Sequence, residues 1–287
     1  MTVEQQAADI QHLFAVQNVD YPQKPQVLGR LSYLQQNPHN SMDDVLEIVA
    51  MYPNLEQRII ALANSPRFRG IVTIETLKPA ILRLGMSQVL TIMTGMILLD
   101  YFEKNKTPLL EKYFKNMRTR SLYVSALSYV LAYEKTKVDP EQAMLAGIIH
   151  NVGVLPLLLR LAQLPELYYN PKAMDAVAKV IIPRTYPLAG RILLTDWQME
   201  PHFIEVASGH QNLQHHISDE IDLIDIVVVA RQLSAIDSFD EETVLPSALL
   251  ESRIFNKFWQ DEEQAVTELA VWQEKIKLYR QNMQIST

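Results

Sequence analysis

Asp139-Pro140-Glu141-Gln142-Ala143-Met144-Leu145-Ala146-Gly147-Ile148-Ile149-His150-Asn151-Val152-Gly153 is the stretch on which the fold turns. Asp139 is a strong N-cap, because its carboxylate can accept from the first free backbone N–H groups of a helix. Pro140 takes the first helical position, where a missing N–H costs nothing, and Gln142 stands three past the cap. The apolar run that follows reads as a buried helix. It ends on a His and an Asn among apolar neighbours, between two glycines. Burying those polar groups costs free energy unless each finds a hydrogen-bond partner. One reading is a core histidine that pins a helix corner. The other is a site.

The same punctuation recurs outward from this stretch. Ser41-Met42-Asp43-Asp44 forms a capping box before Val45, Ile48 and Val49. Leu55, Ile59, Leu62 and Ala63 continue with a helical stripe, and Leu77, Ile81 and Leu84 run up to Gly85, a C-terminal stop. Ser87 opens a helix reaching about Glu103, and the last long helix is expected over roughly Phe255 to Gln284. The acidic stretch Ser238 to Thr243 separates two late helices. Glycine numbers only 8 in 287 residues, and nothing alternates with the period of a strand ladder. An all-α fold follows. The hydrophilic break Glu103-Lys104-Asn105-Lys106-Thr107-Pro108 divides it into an N-terminal helical bundle, residues 1–105, and a C-terminal helical domain, residues 106–287.

Composition narrows the function. With 26 Lys and Arg against 33 Asp and Glu the net charge is −7, so neither nucleic acid nor an anionic membrane surface is an expected partner. Cysteine is absent, which removes disulfides, thiolate nucleophiles and cysteine metal sites and suits a reducing cytoplasm. Met1 to Gln6 lacks the cationic and apolar pattern of a signal peptide. Met86 to Leu99 is too short to span a bilayer, and Ala143 to Leu161 is interrupted by His150, Asn151, Pro156 and Arg160. Both read as core helices of a cytoplasmic protein.

The His150-Asn151 segment resembles the His-Asp signature of HD-domain phosphohydrolases with Asn in place of Asp. The wider pattern resembles the HDOD family, the HD-related output domains of bacterial signalling proteins. Its order and spacing are carried by Pro25, Asp44 to Val49, Pro53-Asn54-Leu55, Leu62-Ala63-Asn64-Ser65 and Ile81 to Gly85. The C-terminal half adds Ala146-Gly147 to Gly153, Leu188-Ala189-Gly190, Trp197 and His210. The likeness runs from about residue 20 to 235, leaving the last fifty residues outside it.

Active HD relatives hold one or two divalent metals with a first His, a His-Asp pair and a later Asp. Carried over by that resemblance, the first His falls at Arg120-Ser121, neither of which ligates metal. His150 keeps the second His, and Asn151 replaces its anionic partner. The late Asp position falls at Arg231, and an additional His position falls at Tyr186 or Pro187. A guanidinium ~5 Å from a dication repels it by roughly 6–7 kcal/mol at an effective dielectric of about 20. The resemblance therefore implies a degenerate site without catalytic metal or other cofactor, in which Arg231 hydrogen-bonds Asn151.

Other residues carry weaker signals. His202 and His210 stand about two helical turns apart, so a three-His site with His150 is an alternative. His215-His216 reads as a solvated loop, and His12 and His39 carry no motif. Ser208 and His210 point to different sides of a helix. Arg58, Arg67, Arg69, Lys78 and Arg83 gather near the Asn64-Ser65 corner, either as a solvated rim or to receive a phosphate or acidic partner.

The expectation is a non-catalytic signal-transduction module that acts through a signalling protein partner or a small anionic ligand. His150, Asn151, His210, Arg120, Ser121 and Arg231 would furnish its polar core. Two alternatives stay open: a metal-dependent phosphohydrolase rearranged around His150 and His210, and a metal-free sensor holding a nucleotide-like anion on Arg120 and Arg231.

Overall fold

The computed structural model describes residues 23–37, 41–65, 68, 70–104 and 107–284. The helices in chain order are α1 (Gln26–Gln36), α2 (Met42–Ala50), α3 (Pro53–Ala63), α4 (Leu77–Leu84), α5 (Met86–Lys104), α6 (Glu111–Lys135), α7 (Pro140–Ile149) and α8 (Val154–Leu161). They continue with α9 (Pro165–Tyr168), α10 (Pro171–Asp196), α11 (Pro201–Gly209), α12 (Leu223–Leu233), α13 (Ser247–Leu250), α14 (Phe255–Phe258) and α15 (Glu262–Gln284). No strand occurs among the described residues, and the fold is all-α.

The caps act as their chemistry dictates. Asp139 accepts from the backbone N–H groups of Glu141 at 2.8 Å and Gln142 at 3.1 Å. Ser41 and Asp44 form the reciprocal box that starts α2. Gly85 ends α4 at φ 91°, and the chain turns by 109° into α5. The loop between α3 and α4 is stapled by Asn64, whose amide donates to the Ile74 carbonyl at 2.7 Å and accepts from its N–H at 2.9 Å.

Helices α5, α6 and α7 form the centre, and one apolar cluster runs through them from Val27 to Met283. Each fully buried Leu or Ile in it contributes about 1.5–3 kcal/mol relative to exposure. Pro140–Leu161 is apolar enough to cross a membrane by composition, yet 78% of its most apolar stretch is buried inside the fold. Every residue from Ala143 to Ile149 is buried, so α7 is apolar all round because it is covered all round.

Two close approaches fix the geometry around the end of α7. A Cβ on Gly147 would lie 2.6 Å from the Cα of Ser125, so α6 and α7 touch backbone to backbone there. The helices run antiparallel from that contact, and one turn further on Asn151 meets Ser121. A Cβ on Gly153 would lie 2.0 Å from the Tyr186 carbonyl and 2.3 Å from the Gly190 nitrogen, so α10 lies directly on the turn that follows His150.

The C-terminal helix corrects one expectation. It does not run unbroken from Phe255, because Trp259 is extended (φ −140°, ψ 153°) between α14 and α15. Trp259 turns into the core beside Phe255 and Phe258, and its indole N–H donates to Glu268 at 2.9 Å. Asp261 restarts the helix by accepting from the Gln264 N–H at 2.8 Å. α15 then packs on both α6 and α3, and Lys135–Glu268 at 2.8 Å and Lys275–Glu134 at 2.5 Å tie it to α6.

Candidate functional site

Around His150 the chain builds a pocket from four directions. Tyr113, Asn116, Met117 and Arg120 come from one face of α6, at the three- and four-residue steps that align side chains on a helix. The turn after α7 supplies His150 and Asn151, with Val154 from the start of α8. α10 contributes Ala178, Lys179, Ile182, Pro183 and Tyr186, while Gln211 and Arg231 (on α12) complete the wall. The cavity measures about 460 Å³.

Asn151 belongs to the wall. Its carbonyl oxygen accepts from the Ser121 hydroxyl at 2.8 Å, and its amide donates to the Met117 carbonyl at 3.3 Å. Those bonds overturn the expected Arg231–Asn151 hydrogen bond. The α6–α7 register delivers Ser121 to the carboxamide first, and no bond from Arg231 reaches it.

His150 and His210 pack edge to face, ring centroids 5.2 Å apart. The carbonyls beside them can only accept, so each Nδ1 carries the proton: His150 donates to Gly147 at 2.7 Å and His210 to Val206 at 3.0 Å. The remaining His210 lone pair at Nε2 accepts from the Tyr186 hydroxyl at 2.8 Å. The His150 Nε2 is buried and has no hydrogen-bond partner. Burial, then the neighbouring His210, hold His150 well below the ordinary imidazole range. Burial, with Arg231 adding its charge, brings His210 down to about 3. Both rings are neutral.

Positive charge collects here, and the nearest acidic influence is Asp175, which acts on Lys179 from outside the cavity lining. Arg120, Lys179 and Arg231 line the cavity, and no Asp or Glu does. None of the three forms an ion pair among the described residues, and the Arg231 Nε is buried without a partner. Arg120 is exposed at the rim, yet the crowding of protein about it, followed by the Arg231 charge, lowers its pKa. A guanidinium stays protonated regardless. Beside them Tyr113 donates to Asp175, which also pairs with Lys112 at 2.6 Å.

The sequence pattern of the HDOD domain matches residues 21–213 of this chain. The chain belongs to the HDOD family. A provisionally named metal-dependent phosphohydrolase from Shewanella amazonensis SB2B superposes with a TM-score of 0.76 at 19% identity, covering 98% of each chain. An HDOD domain protein of unknown function from Geobacter sulfurreducens gives 0.70 at 16%, covering 99% of this chain and 100% of that one. A provisionally named signal transduction protein from Marinobacter aquaeolei VT8 gives 0.61 at 15%, covering 98% of this chain and 65% of that one. These likenesses establish a shared fold. No curated protein matches the chain.

In this HDOD protein Arg231 lies beyond the matched segment, and tertiary packing alone brings it to His150. Other candidates fall elsewhere. His202 is half-exposed and bonds Gln142 at 3.1 Å, and no group of three metal-ligating atoms among the described residues includes His150, His202 or His210. His215 is no solvated loop residue: it is buried and pairs with Asp222 at 2.7 Å, in the cluster His215, Asp222 and Asp225. That cluster holds Lys257, whose ammonium lies 2.6 Å from Asp225. Ser208 bonds backbone carbonyls, away from His210.

The basic corner separates into different roles. Arg58 is buried against Asp100 at 3.2 Å, neither a solvated rim nor a free cation. Arg83 donates to the carbonyls of Ala63 and Val72, and Lys78 is exposed. Arg67 and Arg69, like His12 and His39, lie outside the described residues. Sequence reading missed Lys179, Tyr113 and Asn116. Helical spacing offered a signal for two of them, since Tyr113 and Asn116 stand seven and four residues before Arg120.

Proposed function

We propose that this HDOD protein is a metal-free regulatory module of the cytoplasm that responds to a small anionic ligand held between Arg120 and Arg231. The observation that carries this reading is the convergence of Arg120, Lys179 and Arg231 on a cavity whose lining has no carboxylate, in a protein of net charge −7. Guanidinium forks suit phosphate and carboxylate oxygens. An anion there gains charge-assisted hydrogen bonds and relieves the repulsion between like charges.

The same donor set fits a divalent metal poorly. Hard cations want anionic oxygen, whereas the Asn151 oxygen is neutral and already accepts from Ser121. The His210 Nε2 is taken by Tyr186, leaving the His150 Nε2 as one neutral ligand facing positive charge. We therefore derive no hydrolytic step for this pocket.

Regulation follows from where the ligand would sit. It would touch α6, α10 and α12 together, and α6 also packs on α15 and on the central pair α5 and α7. A ligand that prefers one packing of these helices shifts their equilibrium by its differential affinity, and a signalling partner can read the result.

Isothermal titration of the full chain with inorganic pyrophosphate tests the reading. Saturable binding is expected, lost in Arg120→Ala and Arg231→Ala. Heat only from Mn²⁺, together with phosphatase turnover, would favour the hydrolase instead.

A further inference from the structure

The unsatisfied atom at the centre of the pocket specifies more than a negative charge. His150 is 1% exposed, its Nδ1–H is committed to the Gly147 carbonyl, and Nε2 has no partner. A buried acceptor without a donor costs roughly 1–3 kcal/mol, which a ligand that brings its own donor would recover. The neighbouring cations do not supply one, since neither Arg120 nor Arg231 bonds His150. A fully ionised phosphate offers only acceptors, and its oxygens facing that lone pair would be repelled.

We infer that the ligand is an organic phosphate bearing its own hydroxyl or N–H group, with the phosphate on Arg120 and Arg231 and the donor on the His150 Nε2. This rests on the anion-binding reading above. The cavity supports it, because about 460 Å³ lies within the ~300–1,000 Å³ range of sites for whole organic molecules. Met117, Val154 and Ile182 give the carbon skeleton an apolar wall. Phosphorylated polyols or sugars and nucleoside phosphates share this chemistry.

The test is isothermal titration of the full chain with glycerol 3-phosphate, ribose 5-phosphate, adenosine monophosphate and guanosine monophosphate, each compared with propyl phosphate, which has no donor beyond its phosphate. The tightest of the four should bind about tenfold better than propyl phosphate, the value of one well-made hydrogen bond. Which of the four binds tightest separates the polyol or sugar source from the nucleoside source. His150→Phe should erase the advantage, so that the variant binds the tightest of the four no better than it binds propyl phosphate. Independently of any variant's folding, the ¹⁵N resonance of the His150 Nε2 should move on ligand addition as its lone pair gains a proton donor. Equal affinity for propyl phosphate and all four, or an unmoved resonance under saturation, overturns the inference and leaves a plain anion site. Failure of every phosphate, pyrophosphate included, would remove the anion-binding reading as well.

Discussion

Arginine is treated in opposite ways in two parts of this helical fold. In the N-terminal half Arg58 is 1% exposed and grips Asp100 from both terminal nitrogens, at 3.2 Å each. In the C-terminal half Arg120 and Arg231 face a cavity with no carboxylate, and the Arg231 Nε is buried and unpartnered. The first arrangement is self-contained: charge and counter-charge are both encoded, so the pair is a structural fastening. The second has no carboxylate in its lining, and the proposed anionic ligand would supply the counter-charge. A buried cation tells little about function until its partner has been found or shown to be missing.

Cutting the fastening should produce the largest effect. Asp100→Ala removes the carboxylate that Arg58 grips in the core and is expected to cost about 3 kcal/mol in urea denaturation, the low end for a broken buried pair because Asp100 is partly exposed. A cost under about 0.5 kcal/mol, the level of an ordinary surface change, would erase the contrast.

Next in size, ring for ring, is the acid response of the pocket's neutral imidazoles. The unfolded chain takes up their protons near pH 6.5, whereas folded His210 resists until about 3 and folded His150 is also held low. Their contribution is complete above about pH 6.5 and drains as the pH falls, by about 1.4 kcal/mol per unit for each ring. Between pH 6.5 and 5 the lowered carboxylates of Asp44, Asp175 and Glu268 do not interfere, because they titrate further down. Denaturation midpoints at pH 7, 6 and 5 should show this slope, and His210→Asn should roughly halve it. A pH-independent midpoint would mean that the rings are not held neutral.

The smallest effect is expected where the second arrangement is dismantled. Arg231→Gln removes an unpaired charge and should change stability by under about 0.5 kcal/mol or raise it, the usual signature of a residue kept for function. A loss as large as that of Asp100→Ala would place Arg231 in the same class as Arg58.

The framework was legible in the sequence because caps and stripes are local. Ser41, Asp139 and Gly85 act where their chemistry says, each through bonds to residues within four positions. The burial of Arg58 was not legible, since its explanation lies at Asp100, 42 residues away. His215 misled for a similar reason, its partner Asp222 standing across a turn. Within the site, family resemblance led to Arg120, His150, Asn151 and Arg231. Lys179 stayed hidden because it depends on which face of α10 meets the pocket. That choice is made by the contact of Gly153 with Gly190, a tertiary event. The Asn151 bonds were misjudged because the α6–α7 register, set where Gly147 lies on Ser125, decides that Ser121 arrives first.

A crystal structure grown with both Mn²⁺ and pyrophosphate tests the central claim most directly. Density for the anion bridging the Arg120 and Arg231 guanidiniums, with no metal beside the His150 Nε2, is the result this account predicts. Manganese bound to that nitrogen, with Arg231 swung out of the pocket, would contradict it.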